Sequence, residues 1–162
     1  CPKARNGVSI LRGYNMESLL SKKKLLFSVP GKPQGKQRAK VSTYGGFARA
    51  YTPEETVAYE NLIKLSFKQA LKGEKTPFWE TPVSLTVVAN YAIPKSFSKK
   101  KRGAALGGDI KPQTKPDIDN VVKVVCDALN SVAYRDDTQV IRVIGEKVYS
   151  DEPKLEVLIR EI

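Results

Sequence analysis

A chain of 162 residues with 41% hydrophobic content is long enough to build one domain around a core and too apolar to stay disordered. Its 28 Lys and Arg against 17 Asp and Glu give a net charge of +11 and a pI near 9.7, which favours a polyanionic partner, nucleic acid above all. It has no histidine, which excludes His general bases, His–Cys zinc sites and Ser-His-Asp triads, so any metal must rest on oxygen ligands, as Mg2+ or Mn2+ does.

Residues 1–24 are read as an N-terminal tail: the chain opens on Cys1, its one methionine is Met16, and residues 1–15 are given no part in the fold. No signal peptide and no apolar run of membrane-spanning length is present, and Cys1 and Cys126 suggest no disulfide framework, so a reducing cytoplasm is the expected setting. Cys126 falls in an apolar helical pattern and is expected to be a buried thiol.

The domain is placed at 25–162. LLFSV (25–29) reads as a short strand stopped by Pro30. GKPQGKQRAK (31–40) follows as a loop with Lys32, Lys36, Arg38 and Lys40 and no acid. FARAYT (47–52) reads as a strand. Thr52-Pro53-Glu54-Glu55 predicts a helix start, with Thr52 capping and Pro53 in the first helical position. Tyr59, Leu62, Ile63, Ser66 and Ala70 then keep helical spacing, so a helix is expected over about 53–72, stopped by Gly73.

VSLTVVANYAI (83–93) is rich in β-branched residues and predicts a long strand ended by Pro94. Residues 95–115 read as one long loop, with Lys95, Lys99, Lys100, Lys101 and Arg102 near its start. A second helix is expected over 119–131, with Val121, Val124, Val125, Ala128 and Val132 on its buried face and Asp119, Lys123, Asp127 and Asn130 opposite. QVIRVIGEKVYS (139–150) and LEVLIREI (155–162) predict two strands joined by a turn at Asp151-Glu152-Pro153. The order β-β-α-β-loop-α-β-β implies a single α+β domain, a mixed sheet with two main helices packed on it.

The chemistry concentrates in TKPDIDNVVK (114–123). In an extended segment Asp117 and Asp119 point to the same side, with Ile118 turned inward. Asp119 also suits a helix N-cap, whereas Asp117 has no structural role in the pattern. Lys123 lies one helical turn after Asp119, and its bland role is an i, i+4 pair with Asp127. Asp136 and Asp137 follow the helix by the short turn VAYR (132–135), and which end of the helix they reach is open. If the acidic groups meet, three carboxylates and a lysine share a pocket suited to metal-assisted phosphodiester hydrolysis.

KPDIDNVVKVVCDALNSVAYRDDTQV (115–140) closely resembles the signature of the RusA family of Holliday junction resolvases. VPGKPQGKQRAKV (29–41), AYTPEET (50–56), IPKSFSKKKR (93–102) and EKVYSDEPKLEVLI (146–159) extend the resemblance over roughly 25–162. It implies a small homodimeric Mg2+-dependent endodeoxyribonuclease, of phage or prophage type, that nicks four-way junctions symmetrically in DNA recombination and repair. By position, the resemblance gives Asp117, Asp119 and one of Asp136 and Asp137 as catalytic, metal-holding carboxylates, with Asp137 favoured, and Lys123 as the essential lysine. Lys32, Lys36, Arg38, Lys40, Lys95, Lys99, Lys100, Lys101 and Arg102 are the expected DNA-phosphate contacts. Tyr44, Phe47, Phe97 and Tyr134 are candidates to stack on unpaired bases, with packing as their ordinary alternative. Neither a membrane nor a small-molecule cofactor is expected. The competing readings are a non-catalytic binder of branched DNA and a small RNA-binding protein.

Overall fold

The computed structural model describes residues 23–162, apart from the side chain of Tyr44. The expected tail therefore lies outside the described residues up to position 22, as do Cys1 and the stacking expectation for Tyr44. The elements are β1 (Lys24–Pro30), β2 (Lys40–Ser42), β3 (Arg49–Tyr51), α1 (Glu54–Ala70), β4 (Val83–Ala92), α2 (Lys99–Gly107), α3 (Ile118–Leu129), β5 (Val140–Ser150) and β6 (Lys154–Glu161).

Among the described residues four strands form one mixed sheet in the order β1-β6-β4-β5, and β2 pairs only with β3. β6 lies antiparallel to both neighbours, with Val157 opposite Phe27 on one side and Val87 on the other. β5 runs parallel to β4 along the open edge, and the register slips at Val83/Ser84 so that Ile141 has no partner. The slip is an irregularity of the ladder that leaves one residue of the edge strand over.

Alternation builds one core face. Phe27, Val29, Val83, Leu85, Val87, Ala89, Leu155, Val157 and Ile159 meet Tyr59, Ile63 and Phe67 of α1 and Val121, Val124, Val125 and Ala128 of α3. Phe27 and Phe67 meet edge to face, with ring centroids 5.6 Å apart. Burying each of these large side chains contributes about 1.5–3 kcal/mol, so the two helices are held chiefly by this face. The expected α+β architecture, a mixed sheet carrying two main helices, is the one observed.

Four details differ from expectation. The residue preceding α1 is Pro53, and no side chain caps that end, so Thr52 does not cap. The basic stretch after β4 is not one long loop: Lys99–Gly107 form α2, capped by Ser98, whose hydroxyl accepts from the Lys101 N–H, and closed by Gly108 at φ 88°. Its pattern was hard to read because three lysines occupy the turn where the helix dipole disfavours cations, and Ala105 alone is buried. β2 is a strand inside the expected basic loop. Finally, α3 starts one residue early, so its N-cap is Asp117 rather than Asp119.

Candidate active site

The start of α3 is fixed from two sides by close approach. A Cβ on Gly145 of β5 would meet Ile118 Cγ1 at 2.9 Å and Val122 Cγ2 at 3.1 Å, so the helix lies directly on the β5 backbone. A Cβ on Gly35 would meet Pro116 Cβ at 2.8 Å and Asn120 Cβ at 3.0 Å. Beside Gly35, the Lys36 N–H donates to the Asn120 carbonyl at 2.9 Å. Ile118 packs against the core, as its place between the two aspartates requires.

Asp117 has extended backbone (φ −68°, ψ 148°), and its carbonyl accepts from the Val121 N–H at 3.2 Å, yet its carboxylate caps nothing. Asp119 sits in the first helical turn and does not cap either. Among the described residues neither carboxylate has a hydrogen bond or ion pair, and both are exposed. The capping role open to Asp119 in the sequence is thus not taken up. Among the described residues Lys123 is also exposed and unpaired, with Asp127 bonded to Lys36 instead.

The second acidic pair divides its work. Asp136 caps the short 3₁₀ turn Asp137–Gln139: its carboxylate accepts from the Thr138 N–H at 2.9 Å, and Gln139 Oε1 accepts from the Asp136 N–H at 3.1 Å. The Thr138 bonds, with a smaller contribution from Arg135, hold the Asp136 carboxyl below the usual aspartate range. Gln139 donates onward to the Phe78 and Thr81 carbonyls at 3.2 and 2.9 Å, tying the turn to the segment before β4. Asp137 takes no part in the cap.

The return loop reaches the C-terminal half of α3. Tyr134 in that loop donates to the Cys126 carbonyl at 3.0 Å, and burial, followed by the charges of Asp127 and Asp137, raises the Cys126 thiol to about 11. Cys126 is half-buried, with a free thiol. Asp119 and Cys126 are seven residues apart, about 10 Å along a helix axis. Asp117 and Asp119 therefore mark one end of α3, Asp137 stands toward the other, and Lys123 lies between them. Among the described residues no three His, Cys, Asp or Glu side chains gather closely enough to hold an ion together. Asp117 and Asp119 nevertheless fit a hard divalent cation that keeps several of its waters, which needs only one or two carboxylates.

A cleft of about 1070 Å³ opens beside Asp117. Lys32, Arg38, Lys115 and Asn120 are among its lining residues. Sequence reading did not single out Lys115 and Asn120 for this wall, although both belong to the motif. Lys36 lines the cleft too, but its ammonium is held by Glu60 at 2.6 Å and Asp127 at 2.9 Å. Burial works against the Lys36 charge, and the bonds and charges of its two acids outweigh it, so its pKa stands above that of an ordinary lysine.

The remaining basic residues fall into two groups. Arg102 pairs with Asp151 at 2.6 Å, and Lys101 lies 4.2 Å from the centroid of the Phe97 ring. Lys32, Arg38, Lys40, Lys95, Lys99 and Lys100 are exposed and, among the described residues, unpaired. Of the aromatic candidates, Tyr134 is fully buried and donates to the Cys126 carbonyl at 3.0 Å, so it packs rather than stacks on DNA. Phe97 packs edge to face on Tyr149. Phe47 is 76% exposed.

The family model for the RusA endodeoxyribonuclease matches residues 30–160, which takes in every element from the end of β1 to β6. This chain belongs to the RusA family. The family is one of Holliday junction resolvases, so this chain is an endodeoxyribonuclease acting on branched DNA. It is also 38% identical over 138 residues to the uncharacterized protein YqaN of Bacillus subtilis strain 168, covering 84% of this chain and 95% of that protein. Among the described residues, no helix is long and apolar enough to cross a membrane.

Proposed function

We propose that this chain is a Mg2+-dependent, structure-selective endonuclease that resolves four-way DNA junctions by paired symmetric nicks. It would act as a homodimer in recombination and repair of cytoplasmic DNA, in a phage or prophage setting. One observation carries the reading: in a chain of net charge +11, two exposed carboxylates at the start of α3 neither cap nor pair, and a basic cleft adjoins them. A purely DNA-binding protein has no use for two free acids beside its phosphate groove.

In this reading Asp117 and Asp119 hold the cation, and Mn2+ can replace Mg2+. When bound, the ion supplies a Lewis acid for the phosphoryl oxygens. Lys123, one turn beyond Asp119, places its ammonium to offset charge developing on the phosphate. Asp137 serves as the third carboxylate. Asp136 is committed to its cap, which supports the choice of its neighbour. Lys32, Arg38 and Lys40 on one side and Lys95, Lys99 and Lys100 on the other grip backbone phosphates, so binding is salt-dependent and sparing in sequence readout.

The homodimer has support in the sheet edge. β5 runs for 11 residues along the open edge, with Ile141, Val143 and Ile144 exposed. A long apolar edge is a template for a further strand. A second copy placed by a twofold axis continues the sheet and sets two sites for paired cuts.

The test is a labelled four-way junction incubated with Mg2+ and either wild type or Asp119→Asn. Wild type should cut, and the variant should cut slower by on the order of 100-fold or more. In EDTA the variant should still bind, because the acids add no phosphate affinity. Wild type that binds without cutting, or an Asp119→Asn protein that cuts normally, sinks the proposal. Loss of junction binding in EDTA would make Asp119 a structural residue.

A further inference from the structure

From Gly31 to Pro53 the chain has Lys32, Lys36, Arg38, Lys40 and Arg49 and no acid. Its first part is firmly rooted. Gly35 presses on Pro116 and Asn120, Lys36 is held by Glu60 and Asp127, and Gln37 donates to Thr56 Oγ1 at 3.4 Å and to Glu55 at 2.8 Å. Beyond Arg38 this support ends. Among the described residues β2 and β3 pair only with each other, through Lys40–Tyr51, Val41–Ala50 and Ser42–Arg49, and all six residues are exposed.

A lone two-stranded hairpin is at best marginally stable in water. This one also leaves apolar side chains in solvent: Phe47 is 76% exposed, Val41 64% and Tyr51 49%. Such residues on an arm without a core are placed for a partner rather than for folding. The arm begins two residues after Arg38, which lines the cleft that contains Asp117. Arg38, Lys40 and Arg49 give it only positive charge, which matches a polyanion and makes the same arm of a second copy repel it.

We infer that the β2–β3 arm is the element that recognises the branch point of the DNA. Phe47 stacks on a base left unpaired at the crossover, while Arg38, Lys40 and Arg49 hold the flanking phosphates. The inference rests on the nuclease reading above and adds the group that distinguishes branched from linear DNA. An intact duplex has no unstacked base to offer Phe47, whereas its phosphates are available to the cations in either substrate.

The experiment is a binding titration in EDTA, with a four-way junction carrying 2-aminopurine at the crossover and a linear duplex of the same length. Wild type, Phe47→Ala, Phe47→Trp and the double variant Lys40→Ala/Arg49→Ala are compared at two salt concentrations. Phe47→Ala should weaken junction binding about 5- to 100-fold, change duplex binding less than about twofold, and abolish the 2-aminopurine response, which Phe47→Trp should keep. The double variant should weaken both substrates and lower the salt slope by about two. Phe47→Ala that binds the junction like wild type overturns the inference. So does a drop in sedimenting mass of Phe47→Ala with unchanged junction affinity, which assigns the arm to a second copy. Cleavage of the same junction in Mg2+ is scored separately: wild type that shows the Phe47-dependent response and never cuts retains the arm's role and removes the nuclease reading.

Discussion

The two basic segments have similar charge in sequence and opposite physical lives. Residues 31–40 form an irregular wall whose central lysine is neutralised from inside by Glu60 and Asp127. Residues 95–102 lead into a regular helix that is fastened at its N-terminal end, by Arg102 on Asp151 and by Phe97 on Tyr149. The first segment spends its charge on holding the site's shape and sends its free cations out along an arm. The second keeps Lys99 and Lys100 free at a helix start, where the positive end of the dipole adds to theirs. A run of lysines therefore does not specify DNA contact by itself; what the acids nearby do decides it.

The largest effect expected to separate the two segments comes from Gly35→Val. Its side chain must displace Pro116 or Asn120, and a shift of about 1 Å at the neighbouring Asp117 should cost on the order of 100-fold in cleavage rate. Junction affinity in EDTA should change little, which single-turnover kinetics beside a binding titration will show. No change in rate would mean that the root does not position the carboxylate. Lys36→Met should destabilise the fold by about 2 kcal/mol in urea unfolding, because it leaves Glu60 and Asp127 facing each other partly buried.

The same pair carries a pH signature. Lys36 has its pKa raised on folding above 10.5, so its stabilisation is complete below that value and is lost as pH climbs through the raised one. The stability gap between wild type and Lys36→Met should therefore stay level from roughly pH 7 to 10 and narrow above it. A gap that widened in alkali would contradict the ion-pair account. Smallest of all, Arg102→Ala should cost less than about 1 kcal/mol, since its pair with Asp151 is exposed. Its junction affinity should fall less than that of a Lys99→Ala/Lys100→Ala double variant, as competition binding can measure.

Much of the scaffold was legible because its patterns are strong. α3 alternates buried Val121, Val124, Val125 and Ala128 with polar residues, and β4 is a run of β-branched residues, so both were placed within a residue or two. α2 was missed because the charges at its start oppose its dipole, and β2 because three exposed residues leave no periodicity to read. In the site, the free state of Asp117 was foreseeable, and that of Asp119 was not. An Asp followed by a helical run reads as a cap, but the helix starts a residue sooner, at Ile118, which docks beside Gly145. The capping box from Asp136 to Gln139 was readable as a motif in its own right, and it separates the two adjacent acids. Which end of α3 meets the return loop depended on tertiary packing and had no local signal.

Gly35 and Gly145 face the first turn of α3 from opposite sides, and at both positions the next atom outward would already collide. The seat of the two aspartates is therefore a slot of fixed width, machined by omission. Side chains elsewhere in a core can trade volume with their neighbours, but hydrogen atoms at the two rims of a slot have nothing to trade. Drift at these two sites should be far less tolerated than at the hydrophobic positions that hold the same helix down, even though neither glycine buries any appreciable apolar surface.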